Sequence, residues 1–165
     1  MAISVDRELQ VAIQMERLGH TFYESLAEAC AQPGIASVAR ALAKAELTHL
    51  ETFKEMRRAL PADQRGRKLT EGELFSAAKQ LCNTILPAMS EVRRIVLRGN
   101  VAEALDMAIK MEAAAVAYYS ELASRVTDED AVVLKRIAGE ERKHFKSLED
   151  LRKRYGDATP ERTHS

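Results

Sequence analysis

Glu46-Leu47-Thr48-His49 and Glu141-Arg142-Lys143-His144 are the stretches on which the reading of this chain turns. Residues three apart on a helix share a face, so each Glu-x-x-His presents a carboxylate and an imidazole side by side. The two tetrapeptides stand at an offset of 95, and the likeness continues outside them. Ala12-Ile13-Gln14-Met15-Glu16 pairs with Ala108-Ile109-Lys110-Met111-Glu112, and Phe22-Tyr23 with Tyr118-Tyr119, at an offset of 96. The chain is a weak tandem repeat. Each half reads as a helical hairpin with one Glu on its first helix and Glu-x-x-His on its second.

Apolar residues at helical spacing support four long helices. The first runs from about Ser4 to Cys30 and stops at Pro33-Gly34. The second runs from about Ile35 to Leu60, ahead of Pro61. The third follows Gly99-Asn100, where Asn100 and Glu103 have capping-box spacing. The fourth begins at Thr127, an N-cap followed by the acids Asp128, Glu129 and Asp130. Between the second and third lies a connector, 61–99. Its stretch Ala62 to Lys68 is polar, and from Glu73 to Arg98 an amphipathic pattern returns, bent or split at Pro87. A helix of that length can run back along a bundle, so the third long helix would start at the same end as the second. The expected fold is all-α: a four-helix bundle of two repeated hairpins over residues 1–155, with a long crossover connector and a polar tail, 156–165.

Composition agrees. The 165 residues are 46% hydrophobic and 30% charged, with 7 Gly, 4 Pro and no Trp, which suits long helices rather than a sandwich or barrel. Twenty-five basic and 25 acidic side chains balance, which leaves no compositional case for nucleic acid or an anionic membrane as partner. No 18-residue apolar run and no basic region followed by an apolar one occur, so neither a membrane span nor a signal peptide is expected. Cys30 and Cys82 stand apart, which suits a reducing compartment, and a cytoplasmic location is expected.

The apolar stripes contain six polar residues: Glu16, Glu46, His49, Glu112, Glu141 and His144. Each unpaired ion inside a bundle costs several kcal/mol even after relaxation (on the order of 3–5). The nearby bases Arg17, Lys110 and Lys143 fall off the stripes and cannot neutralise them. Four carboxylates and two neutral imidazoles are balanced by two divalent cations. Two carboxylates can bridge the ions, while the others and the imidazoles bind one ion each. Mixed oxygen and nitrogen ligation with open positions favours iron or manganese over a closed zinc site. Glu161-Arg162-Thr163-His164 repeats the spacing in the polar tail, and there it is read as chance.

Glu, Glu-x-x-His, Glu, Glu-x-x-His over four helices resembles the ferritin-like di-iron carboxylate superfamily. Within it the chain is most similar to the rubrerythrin family, over about residues 5 to 155. The resemblance implies that Glu46 and Glu141 bridge, that Glu16 and His49 complete one metal, and that Glu112 and His144 complete the other. It implies two iron ions per chain, with manganese possible and zinc able to substitute in a purified sample. Tyr23 and its repeat partner Tyr119 would stand behind the ligands. His20, whose counterpart is Val116, is read as a packing or surface residue, and Met15 and Met111 as core filler. There are two departures. No Cys-x-x-Cys exists to build a rubredoxin module, and Ala115 stands where peroxide-reducing relatives have a further Glu.

The resemblance implies a redox reaction of an Fe(II) pair with hydrogen peroxide or dioxygen. An external electron donor, a rubredoxin or reductase, would serve a peroxidase. The alternatives are a ferroxidase or iron-storage protein, and a non-catalytic metal-stabilised bundle. A homodimer is expected, because the connector adds a second apolar face and such domains commonly pair.

Overall fold

The structure, a computed structural model, describes residues 4–82 and 94–155. Ser4 caps α1 (Val5–Ala29) by accepting from Arg7 N–H. Pro33 starts α2 (Pro33–Ala59) at the one helical position where its missing N–H costs nothing. A single 3₁₀ turn, Ala62–Gln64, breaks the polar stretch that follows. Thr70 and Glu73 then cap each other at the start of α3 (Glu71–Cys82): Thr70 N–H donates to Glu73 Oε2 (2.9 Å), and Glu73 N–H donates to Thr70 Oγ1 (3.3 Å).

The expected long connector helix is represented by α3 and by a helical stretch at 94–97. Its bend at Pro87 lies outside the described residues, as do the tail and its Glu161–His164 pair. Gly99, at φ +80°, closes the stretch at 94–97: its N–H donates to Val96 O, and Asn100 N–H donates to Ile95 O. Asn100 then caps α4 (Val101–Ala123) through Glu103, as its spacing predicts. The last helix is α5 (Asp128–Tyr155), with acids in its first turn and Arg152, Lys153 and Arg154 in its last. Among the described residues no helix is long and apolar enough to cross a membrane.

α1 packs along α2 and α4 along α5, and the hairpins meet through α1–α4 and α2–α5. The core falls into two apolar clusters. One gathers Leu9, Ala12, Phe53, Tyr119, Leu122, Leu134 and Ile137. The other gathers Phe22, Leu26, Ile35, Leu42, Leu105, Ala108, Leu148 and Leu151. These memberships orient the bundle: α1 and α5 begin in the first cluster, while α2 and α4 begin in the second. The connector therefore crosses from one end to the other, as its length allows. Ala78 of α3 belongs to the first cluster and Val96 to the second. The expected ferritin-like architecture is the one observed.

A buried polar knot anchors the connector to α1. Asp6 accepts from Arg57 Nε (2.7 Å), Gln10 Nε2 (2.8 Å) and Gly66 N–H (3.2 Å). Gln10 accepts in turn from Leu69 N–H (2.8 Å). Nothing in the sequence pattern singled out Asp6, which reads as one more acid in a first turn. Asp6→Ala should cost about 2 kcal/mol, because three donors lose their acceptor together. Thermal unfolding should then fall by about 4–8 °C for a chain of this size, and proteolysis near Gly66 should accelerate. An unchanged melt would show that the knot contributes nothing.

Candidate metal centre

Between the two apolar clusters lies one polar layer. Glu16 reaches it from α1, Glu46 and His49 from α2, Glu112 from α4, and Glu141 and His144 from α5. Glu16 and His49 are 1% exposed and Glu141 is 0% exposed; the His144 side chain, at 14%, is the most open of the six. Two overlapping quartets form. Glu16, Glu46, His49 and Glu141 present ligand atoms within 4.8 Å of one another, and so do Glu46, Glu112, Glu141 and His144. Glu46 and Glu141 belong to both quartets. Glu141 stands between the imidazoles, 2.9 Å from His49 Nδ1 and 2.7 Å from His144 Nδ1. Glu16 lies 3.4 Å from His49 Nδ1, and Glu46 lies 3.3 Å from His144 Nδ1. The structure thus brings all six sequence-predicted residues together, from four helices and at buried positions.

The layer is starved of hydrogen bonds. Glu16 Oε2, Glu46 Oε1, both Glu141 oxygens and Nδ1 of each histidine are buried without a hydrogen-bond partner. Donor and acceptor are close in several of these pairs but not aligned. Buried polar atoms are normally satisfied, and each exception costs about 1–3 kcal/mol. These six atoms belong to one cluster, and all are of types that can ligate a metal. The donor set therefore fits a pair of divalent cations: two shared carboxylates, and one further carboxylate and one imidazole for each ion.

Behind this layer the partners are specific. Tyr23 of α1 donates to Glu112 Oε1 on α4, and Tyr119 of α4 donates to Glu16 Oε1 on α1. Burial, then the surrounding carboxylates, pushes both phenols far up, so each keeps its proton for this bond. On the outer side of His49, Nε2 meets Glu140 Oε2 at 2.7 Å. That contact leaves Nδ1 free to face inward, the arrangement that fixes the tautomer of a metal-bound histidine. Sequence reading passed over Glu140, because the residue before Glu141 falls off the apolar stripe. The signal available was its lack of a repeat counterpart, since Ala45 stands there.

Gly19 has a reason to be glycine. A Cβ there would come within 3.0 Å of Glu46 Oε2. Beside it lies a cavity of about 30 Å³, lined by Met15, Met111, Ala115, Ala78 and the site's own carboxylates. Met15 and Met111 therefore wall the site as well as filling the core. His20 turns away: its Nδ1 lies 2.8 Å from Ala43 O and its Nε2 lies 3.4 Å from Glu24, as expected for a packing residue.

Charge in the layer is strongly biased. Burial, then Glu16, pushes Glu46 well above the usual carboxylate range. Burial also raises Glu112, to about 7, against the pull of His144. The two imidazoles pull Glu141 down to about 2 despite its burial. Burial works against both imidazolium ions, but the carboxylates prevail, led by Glu141 and then Glu16 at His49 and by Glu112 and then Glu141 at His144. They lift His49 to about 10 and His144 to about 12. Protons thus supply the positive charge that the carboxylates require when no cation does.

With four helices around a buried carboxylate and imidazole layer, the protein is a ferritin-like bundle of the di-metal carboxylate type. The chain belongs to the rubrerythrin family, whose model matches residues 8–93 and 103–164. Among solved structures it is similar to a candidate ferritin-like diiron-carboxylate protein from Thermotoga maritima. That match has 25% identity and a TM-score of 0.73, and it covers 96% of this chain and 99% of that one. A hypothetical protein from Pyrococcus furiosus shares the fold at 18% identity and a TM-score of 0.65, over 92% and 89% of the two chains. No curated protein matches the sequence.

Two predictions follow from this geometry. A divalent ion must expel the protons that His49, His144 and Glu112 hold. Glu112 is protonated at pH 6 and largely ionised at pH 8, so zinc affinity should rise across that interval. A pH indicator in weak buffer should record proton release on adding Zn(II), and constant pH would refute this account. Gly19→Ala should crowd Glu46 and lower zinc affinity. Its metal-free form should melt no lower than wild type, because Ala favours a helix over Gly by about 1 kcal/mol. Unaltered zinc binding would show that the clearance at Gly19 has no role.

Proposed function

We propose that this chain is a non-haem di-iron protein whose reduced metal pair reacts with hydrogen peroxide or dioxygen. The observation that carries this reading is the layer itself: four carboxylates and two imidazoles, buried and mutually close, with ligand atoms that no protein donor or acceptor satisfies. Glu46 and Glu141 would bridge the ions. Glu16 with His49 would complete one position, and Glu112 with His144 the other. Iron fits the mixed donor set, manganese could replace it, and zinc could occupy the site in a purified sample.

The chemistry that a reduced iron pair would supply here is the two electrons needed to convert one peroxide, with two protons, into two waters. An external electron carrier, a rubredoxin or a reductase, would return those electrons, since the chain has no Cys-x-x-Cys of its own. Tyr23 and Tyr119 hold Glu112 and Glu16 in place through their hydroxyl protons. Met15, Met111 and the apolar clusters on either side exclude bulk water. The cavity beside the layer has room for one or two waters, which suits a peroxide or a diatomic gas.

A second reading has its own support. Ala115 lines that cavity and offers no ligand atom, so an ion cannot shift to a further carboxylate there. This favours a ferroxidase, in which Fe(II) is the substrate and Fe(III) leaves. The chain is expected to work as a homodimer in either case.

The decisive experiment loads the protein with Fe(II) anaerobically and mixes it with peroxide or oxygen in a stopped-flow instrument. Faster oxidation by peroxide, with two irons retained per chain, is the expected result. Preference for oxygen, with iron accumulating beyond two per chain, would establish the ferroxidase. Glu46→Ala and Glu141→Ala should each abolish stoichiometric iron binding. Full iron content in both would overturn the di-iron assignment.

A further inference from the structure

The internal repeat makes the two halves of the polar layer near-equivalent, and one residue breaks that equivalence. Glu140, on α5, reaches across the hairpin interface to the outer nitrogen of His49 on α2, 2.7 Å away. It is steadied on its own helix by Arg136, whose Nη1 donates to Glu140 Oε1 (3.2 Å). The residue in the same place of the other half is Ala45, one before Glu46 as Glu140 is one before Glu141. A methyl group cannot accept a hydrogen bond. Among the described residues no carboxylate meets Nε2 of His144, and the His144 side chain is 14% exposed against 1% for His49.

We infer that the two metal positions are unequal, and that Glu140 makes the Glu16/His49 position the tighter one. The inference rests on the reading of the layer as a two-cation site and goes beyond it. A histidine that ligates through Nδ1 must place the proton on Nε2. A carboxylate opposite Nε2 fixes that tautomer, holds the ring plane, and raises the basicity of the ligating nitrogen. His49 has all three advantages. His144 presents the same Nδ1 inward, but among the described residues no carboxylate meets its outer nitrogen, so its tautomer and ring plane are less constrained. Glu140 touches no ion in this scheme; it is a positioning residue acting through His49. Partners of this kind are worth about 10–100-fold in metal affinity.

The repeat supplies its own controls. Glu140→Ala gives the first half what the second half already has, and Ala45→Glu gives the second half what the first has. Metal-free wild type and both variants would be titrated with Co(II) alone, followed by visible absorption and calorimetry, with circular dichroism confirming the helices. Two ions sharing two carboxylates repel each other, so a weaker second step is expected in every case. The reading lies in which step each substitution moves. Glu140→Ala should weaken the first step by about 10–100-fold and leave the second within about threefold. Ala45→Glu should strengthen the second step and leave the first unchanged. A first step untouched by Glu140→Ala, or a second step untouched by Ala45→Glu, overturns the inference while leaving the two-cation site standing. Absence of any stoichiometric cobalt binding to wild type would overturn both.

Discussion

Four carboxylates facing one another inside a protein repel, and that repulsion is the constraint on which this structure turns. Glu16, Glu46, Glu112 and Glu141 are all buried, and among the described residues no lysine or arginine enters the layer with them. Only protons or cations can balance them. The surrounding fold is arranged to make that tolerable. Apolar clusters close the bundle above and below the layer, and each carries large side chains with almost no exposure, such as Phe53, Leu134, Phe22 and Leu105. Burial of these groups, at about 25 cal/mol per Å², offsets the strain concentrated between them.

The duplicated hairpin explains how so many ligands converge. A Glu-x-x-His on one helix can supply one side of a site and no more. Two hairpins placed face to face supply both sides, and their antiparallel pairing of α1 with α4 and of α2 with α5 puts equivalent residues opposite one another. The crossed tyrosine bonds follow from the same relation. Tyr23 reaches the glutamate of α4 and Tyr119 that of α1, so each hairpin holds a carboxylate of the other. The crossover is what permits this arrangement, since α4 must start at the end where α2 starts. Its first helix also contributes Ala78 to the cavity wall, so the connector shapes the approach to the site as well as joining the halves.

Much of this was legible in the residues alone. Helical periodicity with Pro33, Asn100 and Thr127 as punctuation placed the four long helices to within a few residues. The six polar residues stood out because charge on an apolar stripe is costly and because each recurs at a fixed offset. What escaped was side chains acting across the chain from outside the stripes. Glu140 looks like one more solvent-facing acid until α5 is seen beside His49 of α2. Asp6 looks like a helix-dipole acid until the loop at Gly66 folds onto it. Glu8 likewise accepts from the Tyr118 hydroxyl at 2.5 Å, a contact 110 residues apart that no periodicity encodes. Local pattern reports which face a residue occupies; it does not report what stands opposite.

The departures from symmetry therefore carry information that the repeat itself cannot. Ala12, Met15, Glu16 and Tyr23 recur as Ala108, Met111, Glu112 and Tyr119, since both halves must bury the same groups around the same layer. Where the halves differ, the difference has a local cause. Gly19 and its counterpart Ala115 both line the cavity, and the glycine has a carboxylate pressed against it: Glu46 would sit 3.0 Å from a Cβ there. Glu141 needs no such clearance, because it stands between the two imidazoles and is held by both. Glu46 leans on His144 alone and is the carboxylate whose ionisation burial opposes most plainly. The two carboxylates shared by both quartets are thus electrostatically distinct. One carboxylate is ionised and fixed, and the other favours its proton and depends on an absent side chain for its room.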